Sequence, residues 1–163
     1  MKSVGIIGLG IMGSAYARNL IAAGITVAGV DPAPEARQRL KALGGTPHEG
    51  PGEWLADCDL VILSLLSPTV MQEVCESLAD LLRPGQVVLE TGTFRLDDKI
   101  AAYRTLATRS IHLLDCPVSG TGAQAKDGDI LMMASGDSDK AESRLEKRAH
   151  LVPEPIKPQE PNP

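Results

Sequence analysis

Three glycines and one carboxylate are the residues of this 163-residue chain whose types and spacing could do chemistry. Gly8, Gly10 and Gly13 fall at G-x-G-x-x-G spacing, and Asp31 follows 18 residues past the last of them. The apolar run Val4-Gly5-Ile6-Ile7 ahead of the glycines reads as a parallel strand buried on both faces. In that setting Gly8 allows a tight turn, Gly10 lets a pyrophosphate approach the backbone, and Gly13 lets the next helix pack closely on the strand. Residues 14–23 are good helix formers with Gly24 as a stop. Free N–H groups and the positive end of that helix would face the phosphates, with Leu9, Ile11 and Met12 completing the loop. A second strand over residues 26–30 delivers Asp31. Its carboxylate suits the hydroxyls of an adenosine ribose and repels a 2′-phosphate, so NAD is expected over NADP. The other reading is a glycine-rich turn in some other α/β protein; the flanking strand, helix and acid favour a dinucleotide site.

The remaining elements must position that site. Pro32 and Pro34 open a helix that runs over residues 35–43, and Gly44-Gly45 ends it. Thr46 begins a short strand in a stretch that Pro47, Gly50, Pro51 and Gly52 make mostly loop, followed by a helical turn over 53–56. Residues 60–66 read as a buried strand running into a loop that faces the cofactor. Ser67-Pro68 then caps a helix whose apolar stripe is Val70, Val74, Leu78 and Leu81. Pro84-Gly85 breaks that helix. A strand over 86–90 leads into Thr91-Gly92-Thr93, at the carboxyl end where open α/β sheets bind ligands. A helix over 96–108 and a strand over 111–116 follow, ending in Cys116-Pro117-Val118-Ser119-Gly120. Gly128 and the apolar residues 130–134 predict one more strand, antiparallel at the sheet edge. The alternation gives an α/β fold with a doubly wound, mostly parallel sheet.

Composition narrows the function classes. Net charge is −5 with no basic stripe, which disfavours nucleic acid as a partner. Aromatic residues are only 2 %, so the core must be aliphatic. Cys58, Cys75 and Cys116 are odd in number and lack metal-ligand spacing, which fits reduced thiols and no metal site. No run reaches the length of a membrane span and no signal peptide is present, so a cytoplasmic protein is expected. His48, His112 and His150 have no partner pattern for catalysis. Cys116 reads as a packed small residue, and Met132-Met133 as sheet-edge core. Ser119 and Thr93 each remain open between a turn role and a ligand contact.

The segment from Ile6 to Gly13, continued by Ala17, Asn19, Leu20 and Ile21, resembles the N-terminal signature of the β-hydroxyacid dehydrogenases. This family includes 3-hydroxyisobutyrate, tartronate semialdehyde and 6-phosphogluconate dehydrogenases, with imine reductases as relatives. Asp115-Cys116-Pro117-Val118-Ser119-Gly120, then Ala125 and Gly128, independently resembles its substrate-binding segment. The resemblance covers residues 2–137 and implies a Rossmann-type NAD(P)-binding domain that serves hydride transfer between NAD and a small hydroxy acid. It implies that residues 8–13 hold the pyrophosphate and Asp31 the ribose, and that Leu65, Leu66 and Val70 line the cofactor. Thr93 would lie beside the nicotinamide, and Ser119 and Gly120 would bind substrate, with Thr121 next to them. Departures from the pattern are Leu66 for a proline, Gly92 for a serine, Cys116 for an alanine, Thr121 for a glycine and Tyr16 for a methionine. Thr121 narrows the expected pocket, because a branched side chain restricts the loop.

The family's catalytic lysine lies in a Gly-rich motif on a helix leading to a second, all-helical domain, and no such motif occurs here. Lys126 and Lys140 are not substitutes for it. From Ser143 the apolar periodicity gives way to Arg144-Leu145-Glu146-Lys147-Arg148 and then to Pro153, Pro155, Pro158, Pro161 and Pro163. The expected organisation is a cofactor domain over 1–142 and a proline-rich, disordered tail over 143–163. A frameshifted or truncated dehydrogenase domain, inactive alone and presenting an uncovered apolar patch, is the favoured reading. An imine reductase-like NADPH enzyme fragment and a non-catalytic NAD-binding or dimerisation module are the alternatives. Family members oligomerise; the sequence does not fix the state of this chain.

Overall fold

A computed structural model describes residues 1–129, 131–133 and 135. The predicted tail, its boundary at 142, Ile130, Ala134, Lys140 and His150 lie outside them. Six parallel strands form one sheet: β1 (Ser3–Ile7), β2 (Thr26–Val30), β3 (Thr46–His48), β4 (Leu60–Leu63), β5 (Val87–Glu90) and β6 (His112–Asp115). Their order is β3-β2-β1-β4-β5-β6, so the winding reverses between β1 and β4 and opens a crevice at the carboxyl ends of those strands. The helices are α1 (Ile11–Ala22), α2 (Pro34–Ala42), α3 (Pro68–Leu81), α4 (Leu96–Ala107) and the short α5 (Gly122–Lys126). Among the described residues, none is long and apolar enough to cross a membrane.

Strand alternation divides the core into two layers. Val4, Ile6, Leu60, Ile62, Val87 and Leu89 face one side, with Tyr16, Ala17 and Leu20 of α1 and Leu40 of α2. Ile7, Val61, Leu63 and Val88 face the other, with Met71, Cys75 and Leu78 of α3 and Ala102 and Leu106 of α4. Both faces are covered, which is why these strands read as continuous apolar runs. Local sequence signals end the helices where expected. Gly24 takes a φ of +78° past α1, while the Gly24 and Ile25 N–H groups return to the Ile21 and Leu20 carbonyls at 2.9 and 3.0 Å. Pro34 opens α2, and the Ser67 hydroxyl accepts the Val70 N–H at 3.3 Å to cap α3.

Three expectations are corrected. The strand predicted over 60–66 stops at Leu63, and the chain leaves the sheet to enter α3. The buried face of α3 is Met71, Cys75 and Leu78 rather than the predicted stripe, of which only Leu78 is fully buried and Val70 is exposed. The two stripes lie one residue apart, and the short link from β4 through the Ser67 cap selects between them. The last strand is antiparallel but is not an edge of the main sheet. Leu131–Met132 (β8) pairs with Val118–Ser119 (β7) in a separate two-stranded ribbon, and Ser135 bridges to Asp115. Pro117 supplies no N–H to a ladder and turns the chain out of the sheet after β6. Met133 is half exposed on this ribbon, not core.

The contact that seats α1 is steric. A Cβ at Gly13 would overlap the Gly8 carbonyl oxygen, and a Cβ at Gly8, whose φ is +95°, would overlap that of Ser64. At Gly10 a Cβ would meet nothing within 4 Å. Gly13→Ala should therefore lose about 2–3 kcal/mol of stability in urea denaturation, with Gly10→Ala close to wild type. Equal losses at the two positions would contradict this division.

Candidate functional site

The loop between β1 and α1 has the features of an anion site. No side chain caps α1, and its first turn holds no acidic residue. The space over that turn is open at Gly10, so a pyrophosphate fits against the backbone there. Asp31 ends β2 beside the loop. Its Oδ2 accepts the Leu9 N–H at 2.8 Å, and its Oδ1 accepts the Ala33 N–H at 2.9 Å. An ionised carboxylate has about four acceptor positions, so two of them remain for ribose hydroxyls. Arg37 of α2 donates to the carbonyls of Asp31 (2.7 Å) and Pro32 (3.0 Å), holding the turn from outside.

The predicted lining residues divide by environment. Leu9 buries its side chain in the core and offers only its N–H, which Asp31 takes. Gly13 is buried, while Gly8 and Met12 are partly exposed. Ile11 (73 %), Leu66 (98 %) and Val70 (41 %) are exposed, and Leu65 is half-buried with a methyl facing Gly8. Ile11 follows β1 and Leu65 and Leu66 follow β4, the two strands between which the winding reverses. A second exposed apolar row, Leu96, Ile100 and Tyr103, runs along α4.

Across the crevice, β5 ends in Glu90 and leads into the 91–93 loop. Thr91 is buried, and its hydroxyl donates to the Leu63 carbonyl at 2.8 Å, tying β5 to β4; Thr93 is exposed. Next to this loop is a buried ionic cluster. Lys99 of α4 is only 8 % exposed, and its Nζ lies 2.7 Å from Glu90 Oε2. It also donates to the Gly92 carbonyl at 2.6 Å and to Asp115 Oδ1. Glu90 Oε1 accepts the Gly92 N–H at 2.6 Å. Burial raises the Glu90 pKa, against the hydrogen bonds from Lys99 and Gly92. For Lys99, burial pulls the pKa down, but the bonds to Asp115 and Glu90 outweigh it and leave it raised. Sequence reasoning passed over Glu90 and Lys99. The available signal was the spacing 99, 102, 106, which sets a lysine in the stripe of α4 that faces the core.

The substrate candidates follow β6. Ser119, Gly120 and Thr121 are exposed, and Gly120 has a φ of +145°. Thr121 caps α5, its hydroxyl accepting the Gln124 N–H at 3.3 Å while Gln124 Oε1 accepts the Thr121 N–H at 2.9 Å. The Asn19 side-chain amide donates to the Ala125 carbonyl at 2.9 Å, holding α5 against α1. A Cβ at Gly122 would overlap the Ile11 side chain, so the segment after Ser119 rests on the first turn of α1. The structure thus brings the glycine loop and the 119–122 segment together, and it sets Asp31 on the far side of β1. Cys116 is buried, and burial pushes its thiol up to about 12, which suits packing rather than nucleophilic attack.

Comparison with known proteins gives a consistent picture. A family model described as the NAD binding domain of 6-phosphogluconate dehydrogenase matches residues 3–147. An L-threonate dehydrogenase of Cupriavidus necator is 34 % identical over 141 residues, covering 85 % of this chain and 48 % of the relative. The solved 3-hydroxyisobutyrate dehydrogenase of Mycobacterium tuberculosis superposes with a TM-score of 0.85 at 27 % identity, covering 93 % of this chain and 51 % of that one. An imine reductase of Bacillus cereus superposes with a TM-score of 0.81 at 26 % identity, covering 93 % and 52 %. The chain spans about half the length of the curated relatives it matches.

Alkaline pH probes this packing. Burial pushes the thiols of Cys58, Cys75 and Cys116 from 9.0 up to about 11, 12 and 12, so an unfolded chain releases those protons first. Lys99, with its pKa raised in the fold, adds stability that is lost as pH climbs through its folded value. Above about pH 9 the folded state holds more protons than the unfolded one, so stability falls as pH rises. The urea midpoint should drop between about pH 8 and pH 10, and Cys116→Ser should make that drop shallower. A midpoint independent of pH over this range would contradict the assignment.

Proposed function

The chain belongs to the β-hydroxyacid dehydrogenase family through its NAD(P)-binding domain, and on that premise we propose that it holds NAD in preference to NADP and anchors a small hydroxy acid beside the nicotinamide. The observation that carries the cofactor preference is the Asp31 carboxylate, held by the Leu9 and Ala33 N–H groups at the end of β2. A 2′-phosphate there would meet the negative charge of that carboxylate, while Nη1 of Arg37, the cation beside it, is directed to the Asp31 and Pro32 carbonyls.

The residues divide the work along the crevice. Gly8 and Gly13 let β1, β4 and α1 pack backbone to backbone, Gly10 leaves room for the pyrophosphate, and the Ile11 and Met12 N–H groups at the start of α1 bind it. Leu65, Leu66 and Val70 cover the apolar faces of the cofactor. Thr93 borders the nicotinamide, and Ser119 with the Gly120 N–H orients the substrate's carboxylate or hydroxyl. The bound nicotinamide supplies the hydride acceptor or donor. Oxidising a hydroxyl also requires a base for its proton. Lys99 does not serve, because its ammonium already faces Glu90, Gly92 and Asp115. These 163 residues carry the cofactor half of the chemistry, and we assign them dinucleotide binding with little or no turnover by themselves.

Titration of the purified chain with each reduced cofactor tests this reading. NADH should bind at least about tenfold more tightly than NADPH, and Asp31→Ser should narrow the ratio. Gly10→Ala should weaken NADH by about tenfold or more while leaving the fold intact, since its Cβ would occupy the pyrophosphate space. Tighter binding of NADPH would overturn the role of Asp31, and measurable hydroxy-acid oxidation by this chain would overturn the assignment of binding without turnover.

A further inference from the structure

Glu90 and Asp115 are register partners at the ends of adjacent parallel strands, so their carboxylates leave the sheet side by side. Two neighbouring carboxylates at a partly buried edge repel each other and lose hydration unless a cation stands between them. Lys99, entering from α4, is that cation. Its third acceptor is not a side chain but the carbonyl of Gly92. Gly92 is therefore gripped at both ends of its backbone, its N–H by Glu90 and its C=O by Lys99. A Cβ at Gly92 would lie 2.7 Å from Glu90 Oε1 and 2.5 Å from Phe94 Cε2, so a side chain there would require the Glu90 carboxylate and the Phe94 ring to shift. Upstream, the loop is fixed without Lys99, through Thr91 on the Leu63 carbonyl and the Cys116 N–H on the Glu90 carbonyl at 2.8 Å.

We propose that Lys99 is a positioning residue which, by bridging Glu90, Gly92 and Asp115, sets the 91–93 loop against the 115–120 segment and so governs how the nicotinamide half of a dinucleotide is held. The inference rests on the dinucleotide reading of the crevice. Asp31 directly follows β2, which is three strand spacings from β5, about 14 Å. Contacts to the adenosine and pyrophosphate lie on that side of the sheet and do not involve Lys99. Its loss disturbs one half of the ligand and spares the other.

The test is calorimetric titration of the full chain with NADH and with ADP-ribose, which lacks the nicotinamide, for wild type, Lys99→Met and Asp115→Asn. Lys99→Met should weaken NADH roughly tenfold and change ADP-ribose by less than about twofold. Asp115→Asn, which keeps a hydrogen-bonding oxygen, should shift NADH in the same direction by roughly threefold and leave ADP-ribose unchanged. A merely structural lysine would weaken both ligands together, so equal losses overturn the proposal, as does an unchanged NADH affinity. If Lys99→Met does not fold, the Asp115→Asn pair of titrations decides by the same criterion. Wild type binding neither ligand would overturn the dinucleotide reading itself, and that result is distinct from failure of the positioning role alone.

Discussion

The absence of a side chain at residue 13 is the constraint on which the architecture depends. With no Cβ there, the first turn of α1 rests directly on the Gly8 carbonyl, while Gly8 in turn lies against that of Ser64. Three segments, the ends of β1 and β4 and the start of α1, thereby meet backbone to backbone at the point where the winding of the sheet reverses. The first turn of α1 thus begins beside the crevice, with no side chain capping it. Gly10 is the member of the trio whose missing side chain the packing does not require, and it leaves open space over the first turn of α1.

From this point the structure diverges in two directions. Toward β2, Asp31 is fixed by backbone donors from the glycine loop and from its own turn, so this side of the crevice is built from local contacts. Toward β5 and β6, the 91–93 loop and the 115–120 segment depend on a side chain from α4. The first arrangement is encoded within residues 8–33 and is recognisable as a spacing. The second joins residues 90, 92, 99 and 115, which no spacing rule connects.

That difference explains what was legible in the sequence. The class, the order of alternating elements and most of their bounds follow from apolar runs, Gly and Pro punctuation and caps such as Ser67. The phase of α3 did not, because Val70 with Val74 and Met71 with Cys75 form equally apolar stripes and only the entry from β4 chooses between them. The ribbon of β7 and β8 was misplaced because two-residue strands are too short to carry a period, and Pro117 diverts the chain from the sheet. Lys99 was passed over because a lysine on a helix ordinarily lies on the solvated face. Its alignment with Ala102 and Leu106 becomes informative only once the acids at the ends of β5 and β6 are beside it.

The departures from the family pattern take on meaning in the same way. Gly92 stands where the resemblance expects a serine, and in isolation that substitution removes a hydroxyl from the nicotinamide side. In the fold, the position where a serine Cβ would lie is crowded by the Glu90 carboxylate and Phe94. A serine there would require the Glu90 carboxylate and Phe94 to shift, and with glycine the backbone is held by Lys99 and Glu90. Thr121 is comparable: its hydroxyl engages the α5 cap rather than projecting freely, so the branched residue organises the segment beside Ser119. Both of these departures are matched by a partner within the chain, Gly92 by Glu90 and Lys99 and Thr121 by Gln124. Residues 90, 92, 99 and 115 act as one unit, because Lys99 is shared by both carboxylates and the Gly92 carbonyl and its loss leaves all three without their common donor.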